Sequence, residues 1–241
     1  MEEKGREWSV LVFLSALFAV SLISANFLSS KVFSFRVFGI EIAGPAGVVA
    51  YSATFLVTDI VSEVYGRRVA STVVKAGFLA QLAAVLYTMA ALQTPAAPYS
   101  PVSSEVYASV VWAGWAIIIA SLTAYIVSQV HDVWAFHFWK ALTGGRWLWL
   151  RNNASTIVSQ AIDTVIFITL AFNILPRLAG GTALPLDTIV VMIYSQYLIK
   201  VAIALLDTPL AYLGVALVRA YTSGAPGLDG GRLLGLLRRT L

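Results

Sequence analysis

Apolar positions in this chain run in long blocks rather than alternating with polar ones, and charged residues fall almost entirely between the blocks. Each block approaches or exceeds the roughly 20 apolar residues that cross a bilayer as a helix. The pattern predicts six helices, at Trp8–Ser30, Pro45–Tyr65, Val69–Leu92, Val106–Val130, Ala154–Leu175 and Thr188–Leu213. Prolines at 95, 98 and 101 separate the third from the fourth, because proline neither donates to a helix nor continues one. Tyr65-Gly-Arg-Arg68 leaves so little chain that helices 2 and 3 must form a tight hairpin. The fold class expected is an all-α integral membrane protein, with residues 1–221 as the transmembrane domain and 222–241 as a short basic tail on the cytoplasmic surface.

Composition agrees with this reading. Of 241 residues, 59% are hydrophobic and 12% charged, too few charges to cover a soluble domain of this size. Twelve Lys and Arg residues flank one set of helix ends: Lys4, Arg6, Arg67, Arg68, Lys75, Lys140, Arg146, Arg151, Arg219, Arg232, Arg238 and Arg239. Lys31, Arg36 and Arg177 flank the other, so the positive-inside rule puts both termini in the cytoplasm. Trp134, Trp139, Trp147 and Trp149 crowd the loop after helix 4 as an interfacial aromatic belt. The first helix is too long for the apolar core of a signal peptide and is read as an uncleaved span.

Several function classes fall away. There is no cysteine, and His131 and His137 are spaced too unfavourably for one helix face, so no metal centre is expected. No phosphate-binding loop occurs, which leaves no ATPase in this chain. The net charge of +4 follows from the flanking residues and does not indicate a nucleic-acid binder. No cofactor is implied.

Four ionisable residues fall at mid-bilayer depth within the blocks: Asp59, Asp163, Lys200 and Asp207. Together they oppose insertion by about 12 kcal/mol, so they must face one another or water. A central polar cavity for a polar solute is the functional expectation, and a purely structural lysine–aspartate pair is the alternative. Glu63 shares a helix face with Asp59 and lies four residues before Arg67, which makes it either a cavity residue or half of a surface ion pair. Pro209 removes the backbone bond to Leu205 and is expected to open helix 6. Ser-Gln recurs at Ser128-Gln129, Ser159-Gln160 and Ser195-Gln196. Gln160, three residues before Asp163, is the leading ligand candidate, and Asn26 is a further one. Carboxylates, amides and the tyrosines at 51, 125, 194 and 197 suit a planar nitrogen heterocycle.

Three stretches also resemble a known family. Phe55-Leu-Val-Thr-Asp-Ile-Val-Ser-Glu-Val-Tyr-Gly-Arg-Arg68 is similar to the signature of the queuosine-precursor transporters, also called the vitamin uptake transporter family. Leu150–Phe167 resembles its second block, and Lys200 through Leu206-Asp-Thr-Pro209 its third. Asn26 and Lys31 fit its first-helix pattern. The resemblance implies a multi-pass cell-membrane protein that imports 7-cyano- and 7-aminomethyl-7-deazaguanine, precursors of modified guanine in transfer RNA. It leaves open a homo-oligomer, or a vitamin-binding subunit with a separate coupling-factor ATPase. The alanines four apart by which such subunits dock are replaced here by Ser15–Ala19 and Ser21–Ala25. An intramembrane aspartyl enzyme would need Gly-x-Gly-Asp around its carboxylates, and neither Asp59 nor Asp163 has it, so no catalytic residue is assigned.

The orientation is directly testable in this cysteine-free chain. Gly66→Cys and Ala97→Cys are expected to react with an impermeant thiol reagent from opposite sides, Ala97→Cys from outside intact cells. Labelling of both from outside would refute the six-span arrangement.

Overall fold

A computed structural model describes residues 2–142 and 148–223. The order is α1 (Glu2–Leu28), β1 (Val32–Val37), β2 (Ile40–Pro45), α2 (Val48–Tyr65), α3 (Arg67–Leu92), α4 (Ser104–Leu142), α5 (Leu148–Thr169), a π-turn (Leu170–Ile174), α6 (Leu175–Leu178) and α7 (Leu186–Thr222). Six helical stretches are long and apolar enough to cross a membrane: Lys4–Leu28, Val48–Tyr65, Arg67–Leu92, Ser104–Ser128, Ile157–Leu178 and Leu186–Ile203. Residues 224–241 of the expected tail, the side chain of Asp207, and those of Trp139, Trp147, Trp149, Lys140, Arg146 and Arg151 lie outside the described residues.

Two helices run well past their apolar blocks. α4 continues twelve residues past Val130, and α7 nine past Leu213. Hydropathy marks where a span leaves an apolar medium, whereas a helix ends at its breakers. Gly144-Gly145 follows α4, and Gly224 and Pro226 follow α7. Pro209 does not open α7, which runs without a break from Leu186 to Thr222.

Pro176 acts differently. It has no N–H for the carbonyl of Phe172 and crowds it, and the backbone just before it widens into the π-turn, with Leu175 N–H donating to Leu170 O. The freed Phe172 carbonyl accepts from Leu184 N–H at 2.9 Å. Asn173 Nδ2 donates to Leu184 O at 3.0 Å. The connection into α7 is therefore pinned at one residue.

The all-α expectation needs one correction. Residues 32–45 form an antiparallel hairpin with Val37 opposite Ile40. Phe38 and Gly39 make its two-residue loop, with φ of 50° and 80°, the pair of positive values that matches strand twist. Phe33, Phe35 and Val37 alternate with Ser34 and Arg36, a period of two that a search for long apolar blocks passes over.

The chain divides into two compact units. The first takes Met1–Ala25, Gly47–Pro95 and Val201–Leu241, and its core gathers Leu14, Phe18, Leu22, Val57, Ile60, Val61, Ala70, Val73 and Val215. The second takes Asn26–Ala46 and Ala96–Lys200, around Ala43, Ile117, Ala120, Ile168, Ala171, Phe172, Ile189 and Met192. In the first unit, close approach depends on glycine. A methyl at Gly77 would overlap the Phe18 ring, and one at Gly214 would overlap Ile60 Cδ1.

Gly214→Ala is therefore expected to destabilise the protein by about 1–3 kcal/mol through overpacking. Ile60→Val deletes the clashing carbon, so the double variant should melt higher than Gly214→Ala alone. Additive melting shifts would refute this contact.

Candidate functional site

The second unit holds a charge pair in apolar surroundings. Lys200 Nζ lies 2.6 Å from Asp163 Oδ2, joining α7 to α5, with side chains 11% and 21% exposed. Both partners come from blocks that contain no other charge for a turn on either side. A lone ammonium there would have no compensation, and the short ion pair supplies it. This resolves the choice of partner for Lys200 in favour of Asp163 among the described residues.

Asp163 has acceptor capacity left over. Its Oδ1 meets only the Ser128 hydroxyl of α4 among the hydrogen bonds described, at a long 3.5 Å. A carboxylate carries about four lone-pair sites, so one close ammonium and one distant hydroxyl leave room for further donors. One turn away, Ser159 Oγ lies 3.0 Å from His131 Nδ1, a second polar link between α5 and α4. Metal-ligand spacing gives His131 no role in the sequence. Its offset of 28 residues from Ser159 gives no local signal.

The other candidates divide between the units. Asn26 is buried in the second unit. Gln160, half-buried, is also there, and its carbonyl accepts from Thr164 Oγ1 at 2.8 Å. Asp59 lies in the first unit, on an exposed face of α2. Glu63, also in the first unit, pairs with Arg219 of α7 at 3.1 Å rather than with Arg67, four residues along its own helix. Both side chains of that pair are more than one-third exposed, so it contributes little to stability. Asp207 belongs to the first unit, its side chain outside the described residues.

The third Ser-Gln pair proves more deeply placed than the second. Ser195 is fully buried and Gln196 is 5% exposed. Ser195 Oγ accepts the N–H of Ala43 at 3.1 Å, which satisfies the edge of β2 where no strand covers it. The sequence signal was present in the repeated Ser-Gln. Proximity to Asp163 favoured Gln160, and an unrecognised hairpin hid what Ser195 and Gln196 face.

The pairing predicts a specific mutational pattern. Lys200→Met strands a carboxylate and should cost on the order of 3–5 kcal/mol, reduced by the partial exposure of Asp163. Lys200→Met with Asp163→Asn should recover much of the loss. Melting temperatures without ligand test this, and strict additivity would sink the pairing.

Comparison with known proteins adds independent information. Residues 45–214 match the family described as "Putative vitamin uptake transporter". A "Probable queuosine precursor transporter" of Bacillus subtilis (strain 168) is 32% identical over 171 residues, 69% of each chain. No solved structure matches significantly.

Proposed function

This chain belongs to the vitamin uptake transporter family, and on that premise we propose that it imports 7-deazaguanine precursors of modified transfer-RNA guanine, 7-cyano-7-deazaguanine or 7-aminomethyl-7-deazaguanine. It is a multi-pass membrane transporter by family and by its six apolar helices. The observation that carries the choice of solute is the arrangement at Asp163. Oδ2 is held by Lys200, and among the described residues Oδ1 meets only the distant Ser128 hydroxyl.

A guanine-like edge presents a ring N–H and an exocyclic amine side by side, two donors that a carboxylate accepts together. The Lys200 ammonium has three donors and spends one on Asp163, so a solute carbonyl next to that edge can be met by the same pair. A neutral cavity would bind such a solute less selectively, because losing a water shell around two donors and an acceptor needs matched partners. Gln160, one turn before Asp163, adds an amide with one donor and one acceptor group.

The experiment is a melting series on purified protein with the two deazaguanines, guanine, riboflavin and biotin. A true solute at 100 times its dissociation constant should stabilise the protein by about 2.7 kcal/mol. A shift with riboflavin or biotin, and none with either deazaguanine, would replace this reading with vitamin binding. Asp163→Asn, which presents a donor where an acceptor is needed and strips Lys200 of its counter-charge, should melt lower than the wild type, and the folded protein should lose at least tenfold in affinity. Unchanged affinity would move the solute away from Asp163.

A further inference from the structure

Gly44 of β2 has no conformational or steric reason to be glycine. Its φ is not in the left-handed region, and a Cβ there would meet nothing closer than Phe33 Cζ at 3.5 Å and Gln196 Oε1 at 3.6 Å. Those are ordinary contacts. Gly77 and Gly214 are different, since added carbons would overlap Phe18 and Ile60. A glycine inside a strand weakens the strand, and one recurrent reason for it is the close approach of a ligand.

The second observation lies on the far side of the same glycine. Gln196 Oε1 is buried and has no hydrogen-bond partner among the described residues. An amide oxygen taken out of water without a donor is costly. The neighbouring Ser195, by contrast, accepts from Ala43 N–H. Gly44 thus separates an aromatic ring from an unpaired acceptor, and the side chain that would close the gap is missing. All three residues belong to the second unit.

Position along α7 connects this gap to the charge pair. Gln196 and Lys200 are four residues apart, so they share a helix face about 6 Å apart along the axis. One bicyclic ring system reaches across that distance. The set would then present an acceptor at Gln196, a donor at Lys200 and a further acceptor at Asp163. Phe33, stacked on Phe35 at 5.5 Å between centroids, forms a firm aromatic border.

We propose that Gln196, Gly44 and Phe33 form a solute subsite, in which Gln196 Oε1 accepts a hydrogen bond from a ring N–H and the ring edge enters the notch beside Phe33. Gln196 is then a specificity-determining residue, and the hairpin is part of the binding site. This rests on the reading of the chain as a carrier of planar nitrogen heterocycles.

Two variants test it in the full-length protein, with 7-cyano-7-deazaguanine and 7-aminomethyl-7-deazaguanine as probes. Gln196→Leu removes the acceptor while keeping the bulk. Without ligand it should melt no lower than the wild type, because it also removes an unpaired buried polar atom. Its affinity should fall about tenfold. Gly44→Ala should fold normally, since its methyl makes only ordinary contacts, and it should also bind more weakly by filling the notch. A structural role for Gln196 gives the opposite pattern, a lower melting temperature with unchanged affinity, and overturns the proposal. Wild-type affinity in Gln196→Leu overturns it as well. If Gln196→Leu fails to assemble, wild-type affinity in Gly44→Ala overturns it alone. Failure of the wild type to bind either probe is a separate outcome: it refutes the proposed function, and the subsite falls with it.

Discussion

Within an apolar medium a polar group has only the rest of the chain to turn to, and that constraint recurs through this molecule. Lys200 turns to Asp163. Ala43 N–H, on the uncovered edge of β2, turns to Ser195. Phe172 O, deprived of its helical donor by Pro176, turns to Leu184. Threonine hydroxyls inside the spans turn back to their own helices, as Thr58, Thr88 and Thr164 do to carbonyls three or four residues earlier. Hydrophobic burial cannot order these elements as it would in water, because the surroundings are as apolar as the side chains. Close packing at glycines and matched polar pairs do that work.

Such a constraint also explains what the sequence disclosed. The six long helices were legible because a span must be continuously apolar, and that condition leaves its mark residue by residue. Lys200 was legible as a residue needing a counter-charge for the same reason. Its partner could be narrowed to Asp163 or Asp207 but not chosen, since depth is a one-dimensional quantity and pairing is decided by rotation about the helix axis. Glu63 shows the same limit. Arg67 stands one turn away in sequence, yet Arg219 is the residue it reaches.

The hairpin was missed for a different reason. Its alternation covers only six residues per strand, and it lies between two much stronger apolar signals. Without it, Gly44 reads as part of a loop and Ser195-Gln196 as one of three similar dipeptides. With it, the third dipeptide is distinguished from the second by its burial and by the strand edge that Ser195 meets. Context supplied by a non-local strand pairing separated residues that local pattern treated as equivalent.

The π-turn before Pro176 has a bearing on how this chain is compared with others. It absorbs one residue more than an α-helix would need over the same rise. Every position beyond Ile174 is consequently out of phase by about 100° with a helical wheel drawn from Ile157. Arg177 and Leu178, projected on that wheel, land on a side they do not occupy. Positional equivalence along this span holds only up to the extra residue, and beyond it a relative with a plain α-helix must be matched across a one-residue gap.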